Sequence, residues 1–373
     1  MVKVLLAGGG TAGHVNPALA IAEIIKEHRP DAEFLFAGTP FGLEARLIPK
    51  AGYAFTPIKV KGFQRRLTLK NIGRNIKAAY YLAFAGAAAK KIIEKFKPDL
   101  VIGTGGYVSG PVVMKAVKMG IKTAIHEQNA YPGVTTRLLS KKVDKVMLTV
   151  EEAKKYLDTE IEYTVTGLPV RSGFKNITKE EARKQLGLDN SICILSSGGS
   201  LGAGRINETV ADLMAWYDGN MLVNHIHSFG GMGKNTFLKD LESKGVDIKK
   251  NKRLTAKEYI DNMPVCMAAA DLVISRCGAN SLYELQSMGR GSILIPSPIV
   301  AGNHQYYNGK VLEKAGAAIV IEQKNLTSEL LIKTVKELCE DPQKLKALSE
   351  NARRLCINDT SERIYSVLSG LIN

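Results

Sequence analysis

The chain has 373 residues, 45% hydrophobic and 23% charged, with 35 glycines and no low-complexity tract, a globular composition with room for two ordinary domains. Its formal charge of +15 is unevenly placed: residues 57–145 hold 18 Lys and Arg against 4 Asp and Glu. Such a field suggests an anionic partner (a membrane surface, nucleic acid or a phosphorylated ligand), with general solubility as the plain alternative, and no nucleic-acid-binding signature accompanies it.

Met1-Val2-Lys3-Val4-Leu5-Leu6-Ala7 runs straight into a strand and then glycines, without the apolar region or cleavage site of a secretory signal. Short β-branched runs then alternate with helical stretches, the pattern of a parallel sheet covered on both faces. The predicted strands are Val4–Ala7, Phe34–Ala37, Thr56–Val60, Leu100–Gly103, Thr123–His126, Lys145–Leu148 and Tyr163–Thr166, with helices including Pro17–Glu27 and Ile72–Phe96. The longest uncharged, mostly apolar stretch, Ala78 to Ala89, is too short to cross a bilayer, which takes about 20 residues. Gly167-Leu168-Pro169-Val170-Arg171 punctuates the pattern and marks an interdomain linker, giving domains 1–167 and 168–356. A second cycle follows with strands Cys193–Ser196, Val223–His227, Leu272–Ser275, Ser292–Ile295 and Ala318–Ile321, and a helical tail, about 357–373, is expected to pack back on the first domain. The five cysteines are odd in number and form no C-x-x-C pair, which speaks against a zinc site or a disulfide framework and for a reducing cytosol. Cys277 reads best as a small packing residue near a helix start.

Both halves open with an apolar strand, a glycine turn and a helix, so the expected fold is α/β with two Rossmann-like domains whose parallel sheets face a shared cleft at the carboxyl ends of the strands. The first turn, Gly8-Gly9-Gly10-Thr11-Ala12-Gly13-His14, contains G-x-G-x-x-G and leads into a helix whose N–H groups favour an anion. The strand that should end in an acid for a dinucleotide's ribose ends instead in Phe36-Ala37-Gly38-Thr39, which demotes a redox reading. His14 stands where the helix dipole disfavours imidazolium, so it suits a general base for a sugar hydroxyl; the alternative is a histidine that only hydrogen-bonds its turn. The second turn, Gly103–Pro111 with Gly105, Gly106 and Tyr107, offers another nest of N–H groups, and His126-Glu127-Gln128-Asn129 places four polar side chains at a strand end. In the second half, Ser197–Arg205 should cradle a diphosphate, Ser275–Ser281 leads into the helix carrying Glu284, and Ala301–Gln305 supplies amide and imidazole groups. Glu284 suits a ribose diol, or simply complements its helix dipole.

These motifs, with Asn16-Pro17-Ala18 and Gly167–Arg171, occur in the order found in the MurG family of peptidoglycan N-acetylglucosaminyltransferases, which the chain resembles over essentially its whole length. The resemblance implies a GT-B fold and inverting transfer of N-acetylglucosamine (GlcNAc) from UDP-GlcNAc to the C4 hydroxyl of the muramoyl sugar of lipid I, giving lipid II, without metal or cofactor. It implies that Thr11, Ala12, Gly13 and Asn129 line the sugar and acceptor side, with Gly10, Gly105, Gly106 and Tyr107 at the acceptor diphosphate. It also implies that Arg171 and Ser200 contact the donor diphosphate, Ile260 the uracil, Glu284 the ribose, and Gln305 with His304 the GlcNAc hydroxyls, with Ala279, Asn280 and Ser281 also binding substrate. His14 and Glu127 are the expected catalytic residues. Ala12 replaces a glycine common in the family, Leu201 a Gln, and Asn280-Ser281 a Leu-Thr pair, which leaves the side-chain detail of the donor site open. A lipid-linked acceptor gives the basic charge a role: Phe63, Arg65, Arg66, Leu67, Leu69 and Lys70, then Tyr80, Tyr81, Leu82 and Phe84, are expected to dock peripherally on the anionic cytoplasmic leaflet, unless the Tyr80–Ala89 stripe is core. Rival readings are a diacylglycerol glycosyltransferase, a UDP-GlcNAc 2-epimerase-like enzyme and a non-catalytic binding scaffold.

Overall fold

The computed structural model describes residues 1–60, 69–158, 160–170, 177–217 and 220–372. The chain divides into two units, Met1–Arg171 with Ile357–Asn373, and Ser172–Cys356. In the first, β1 (Lys3–Gly8), β2 (Glu33–Gly38), β3 (Ala54–Pro57), β4 (Leu100–Gly105), β5 (Lys122–Glu127), β6 (Lys145–Leu148) and β7 (Tyr163–Val165) form a parallel sheet in the order β3-β2-β1-β4-β5-β6-β7. In the second, β8 (Cys193–Ser197), β9 (Asn224–Ser228), β10 (Leu254–Lys257), β11 (Leu272–Ser275), β12 (Gly291–Leu294) and β13 (Ala318–Val320) form a parallel sheet in the order β10-β9-β8-β11-β12-β13. Strand order reverses beside β1 in one sheet and beside β8 in the other. The loops leaving β1 and β4, or β8 and β11, diverge there to opposite faces and open a crevice at the carboxyl edge.

The strands are apolar on both faces because helices cover both faces. In β1, Val4 and Leu6 pack with the helix Ala12–His28 and with Ile364 and Leu368 of the helix Thr360–Ser369, while Leu5 and Ala7 pack with Val108, Val112 and Val113 of the helix Gly106–Lys118. Ile364 and Leu368 are fully buried, each contributing about 1.5–3 kcal/mol of burial. His28 stacks on Tyr365 at 3.8 Å, and the Arg363 guanidinium donates to the Val165 carbonyl, so the returning segment belongs to the first unit. Gly167, at φ +81°, touches this return: a Cβ there would lie 2.4 Å from the Thr360 hydroxyl.

Three sequence expectations shift. The first helix starts at Ala12 rather than Pro17, so Pro17 lies inside it and His14 in its first turn; proline at a first helical position is the commoner signal. The third strand is Ala54–Pro57, earlier than Thr56–Val60, because its register is set by pairing Ala54 with Leu35 and Pro57 with Gly38. The edge strand β10 escaped prediction: it follows Lys252-Arg253 and carries little apolar alternation. Of the Tyr80–Ala89 stripe, Ala85 and Ala89 are core while Phe84 is 58% exposed. Phe63, Arg65, Arg66, Leu67 and Arg171 lie outside the described residues, as do the side chains of Leu69, Lys70, Tyr80 and Leu82.

Three histidines are buried in the sheets. Burial, which disfavours the charged ring, holds His126 down to about 4 and His227 to about 3, and puts His225 well below its ordinary 6.5. His225 and His227 share the Ser196 hydroxyl, at 2.6 and 2.7 Å. In the unfolded chain these rings take up protons near pH 6.5, whereas native His126 and His227 do not until about pH 4 and about pH 3, and His225 also stays neutral well below pH 6.5. Stability therefore falls as pH drops through that window, by up to about 1.4 kcal/mol per pH unit for each histidine. Urea denaturation of the intact chain at pH 7, 6 and 5 should show a steady loss, three histidines outweighing the opposite contribution of the raised Glu284 carboxyl. A flat profile would contradict the assignment.

Candidate active site

In the first unit the glycine turns after β1 and β4 pack backbone against backbone. A Cβ on Gly8 would lie 2.1 Å from the Thr104 hydroxyl, and one on Gly106 would lie 2.3 Å from the Gly9 carbonyl. Gly105, at φ +107°, lies against the His14 ring: a Cβ there would be 2.6 Å from Nδ1. Any side chain at 105 would therefore push out the imidazole and strain the backbone as well.

His14 is half-buried, and its Nδ1 lies 3.1 Å from both the Thr104 carbonyl and the Gln128 Oε1. The Thr104 hydroxyl donates back to the His14 carbonyl at 2.8 Å, tying the helix start to the end of β4. Because a carbonyl only accepts, Nδ1 carries the hydrogen and Nε2 presents a lone pair. A ring held in that state is equipped to take a proton from a hydroxyl.

Two expected site residues of this region hold partners within the unit. Glu127, expected to be catalytic, is buried, and both its oxygens are engaged: Oε1 accepts from the Asn129 N–H and side-chain amide, each at 3.0 Å, and Oε2 from the Gly133 N–H at 3.0 Å and the Thr136 hydroxyl at 2.5 Å. Four donors on one buried carboxylate clamp the 127–136 loop and aim Asn129. Gly10, expected at the acceptor diphosphate, spends its N–H on an internal anion, Glu44 Oε2, at 3.0 Å. Glu44 is fully buried and also accepts from the Thr39 N–H at 2.9 Å and hydroxyl at 2.6 Å. Burial, the largest influence, pushes its carboxyl up, but the bonds from Thr39 and Gly10 together hold it below its usual range. Sequence reasoning sought an acid at the end of the second strand; this one arrives from the following helix, Glu44–Lys50, where no motif flagged it. Thr11 stays exposed at the helix start and makes no side-chain cap, Ala12 and Gly13 are half-buried, and Tyr107 is 54% exposed.

The second unit repeats the plan around β8 and β11. A Cβ on Gly198 would meet the Ala203 nitrogen at 2.4 Å, and one on Gly202 the Phe229 carbonyl at 2.1 Å, so the turn is pressed into the loop after β9 and presents Ser200 and Leu201 outward. The helices that follow, Gly204–Trp216 and Ala279–Met288, start at Ala203 and Gly278 with no side-chain cap, leaving their first N–H groups for an anion. One turn apart on the second of these, Asn280 and Glu284 share a face. The Asn280 Oδ1 is buried with no partner among the described residues. Burial alone raises the Glu284 carboxyl to about 7. A buried oxygen without a donor is costly unless a ligand supplies one. Ala279 and Ser281 are half-buried beside them. Gln305 Oε1 accepts from the Ser297 N–H at 2.9 Å and His304 Nδ1 donates to the Ala301 carbonyl at 2.8 Å, so both are oriented by the loop after β12. Ile260 is 3% exposed among core residues. Cys277 is buried in the same core, its thiol pushed up by burial, as expected of a packing residue. Among the described residues no group of three or more His, Cys, Asp or Glu could hold a metal ion.

Comparison with known proteins agrees with this geometry. Residues 4–148 match the glycosyltransferase family 28 N-terminal domain and residues 193–364 its C-terminal domain. Transferases from Acetivibrio thermocellus and Thermoanaerobacter sp. are each 43% identical, over 100% and 99% of this chain and 98% and 100% of their own length. The crystal structure of Acinetobacter baumannii MurG superimposes with a TM-score of 0.79 at 26% identity, covering 99% of this chain and 100% of that one. A UDP-GlcNAc 2-epimerase from Neisseria meningitidis, at 15% identity and TM-score 0.67 over 99% of this chain and all of its own, shares the fold alone. The protein thus has the GT-B fold, and it belongs to glycosyltransferase family 28 and, within it, to the UDP-N-acetylglucosamine–N-acetylmuramyl-(pentapeptide) pyrophosphoryl-undecaprenol N-acetylglucosamine transferases, the MurG enzymes.

Proposed function

We propose that this chain transfers GlcNAc from UDP-GlcNAc to the C4 hydroxyl of the muramoyl sugar of lipid I, with inversion, giving lipid II and UDP. The observation that carries the reading is His14, whose Nδ1–H is fixed by the Thr104 carbonyl so that Nε2 is left to act as base. In the reaction Nε2 takes the acceptor proton as the acceptor oxygen forms its bond to the anomeric carbon. The bond from that carbon to the diphosphate breaks, and its electron pair leaves with UDP. Departing charge is stabilised by the uncapped helix starts at Gly204 and Ala279, by Ser200 and by Arg171, rather than by a metal ion. Asn280 and Glu284 receive the nucleoside, Glu284 accepting the ribose hydroxyls, with the Ile260 main chain at the uracil. Gln305 and His304 hold the GlcNAc hydroxyls, and Asn129, aimed by Glu127, meets the acceptor with Thr11, Ala12, Gly13, Gly105, Gly106 and Tyr107. The name shared by the relatives, which states the donor and the acceptor, supports this choice over a diacylglycerol acceptor or epimerisation.

UDP release should require both UDP-GlcNAc and a soluble lipid I analogue, persist in EDTA, and fall at least about 100-fold in kcat in His14→Ala with donor affinity kept. Turnover without acceptor would favour an epimerase, turnover with diacylglycerol the lipid transferase, and an unchanged kcat would remove the base.

Glu284 gives a pH signature. Its carboxyl is raised to about 7 in the free protein, and accepting two ribose hydroxyls favours the ionised form, so binding releases a proton. UDP affinity should therefore rise from pH 6 to 8 more steeply in wild type than in Glu284→Gln, the ionisation of UDP itself being common to both. Equal slopes by calorimetry would exclude this role.

No helix among the described residues is long and apolar enough to cross a membrane. We place the enzyme peripherally on the cytoplasmic leaflet, held by the basic 57–145 region with exposed Phe84; each basic residue near an anionic surface contributes about 1 kcal/mol. Flotation with anionic vesicles should show binding that weakens with salt, and no binding at either salt level would reject the idea.

A further inference from the structure

We propose that Gln128 and His126 are positioning residues that, beside the Thr104 carbonyl, hold His14 in its Nδ1–H tautomer through a one-way series of hydrogen bonds starting at the Gly167 carbonyl. The proposal rests on the reading of His14 as the base.

The direction follows from the first acceptor. A carbonyl cannot donate, so His126 Nε2, 2.9 Å from the Gly167 oxygen, carries the ring hydrogen and His126 Nδ1 is a bare acceptor. Gln128 Nε2 lies 3.1 Å from that Nδ1 and 2.7 Å from the His126 carbonyl, so its two hydrogens both have acceptors on this side. The amide oxygen then has to face the other way, toward His14 Nδ1 at 3.1 Å. Had the amide been reversed, its NH2 would point at the Nδ1–H that the Thr104 carbonyl accepts and would favour moving the hydrogen onto Nε2, the atom the reaction needs bare. Gln128 is 4% and His126 1% exposed, so water does not compete for these bonds. Burial keeps the His126 ring neutral down to about pH 4, so the series does not reverse in the neutral range. The nearby carboxylates are occupied elsewhere: Glu127 by Asn129, Gly133 and Thr136, and Glu44 by Gly10 and Thr39. The origin of the series is held in turn by the C-terminal return, since Gly167 packs on Thr360.

Histidine-selective 15N labelling of the full chain, with two-bond proton–nitrogen correlation, reads the tautomer directly, and the His14 signal is the one lost in His14→Ala. The expected wild-type pattern is hydrogen on Nδ1, whereas a free imidazole side chain prefers it on Nε2. Gln128→Met, which can neither accept nor donate there, should move His14 toward the Nε2–H form and lower kcat about tenfold or more, with KM for UDP-GlcNAc changed by less than about twofold. Hydrogen on Nε2 in the wild type would overturn the proposal without any variant needing to fold. So would a Gln128→Met protein with tautomer and kcat both unchanged. Failure of the underlying reading is separate: it would show as a His14→Ala enzyme that keeps its kcat whatever the tautomer.

Discussion

Everything at the two carboxyl edges depends on glycine turns packed so closely that no Cβ fits between them. Gly8 against Thr104, Gly106 against Gly9 and Gly202 against Phe229 are contacts a methyl group would break. Several of these residues also hold positive φ, so an alanine would meet both a clash and a strained backbone. In exchange the helix starts are brought down onto the strand ends, and groups from different loops come within hydrogen-bond reach. Parallel sheets that reverse strand order supply the diverging loops, and the missing side chains let those loops close on one another.

The two units use this plan for different chemistry. In the first, the turn after β1 is filled from within: Glu44 takes the Gly10 N–H, and Thr104 takes the ring N–H of His14. Little is left for an external phosphate at Gly10, and what is presented outward is one nitrogen lone pair in a defined direction. In the second unit the corresponding positions are uncompensated, with uncapped helix starts, an Asn280 oxygen lacking a donor and a Glu284 carboxyl raised by burial. A site whose polar groups are already satisfied positions a reactive atom; one whose groups lack partners gains on binding a ligand that supplies them. The first unit suits proton transfer and the second suits a nucleotide.

Burial without a charged partner recurs in the interior. His126, His225 and His227 are kept neutral by their surroundings, and the Gly167 carbonyl fixes the donor and acceptor sides of His126. Neutral rings of this kind transmit direction without adding charge. On the proposed series, a backbone carbonyl far along the chain bears on the protonation pattern of the His14 ring.

The sequence by itself determined the fold class, the strands of both sheets apart from β10, the four glycine turns and the family. These are legible because apolar runs of strand length, helical spacing and glycine between them are local properties, and because motifs in a fixed order need no geometry to be seen. Tertiary structure alone decided what the polar residues do. Glu127 looked catalytic among four polar neighbours, but the fold wraps the 127–136 loop around it and uses up its oxygens. Glu44 carried no signal, yet it fills the first turn across 34 positions of chain. His14 and Gln128 are 114 positions apart and meet because β1 lies beside β4, and β4 beside β5. Local pattern encodes which face is buried and where the chain bends; which donor finds which acceptor depends on strand order, and that exists only once the sheet has formed.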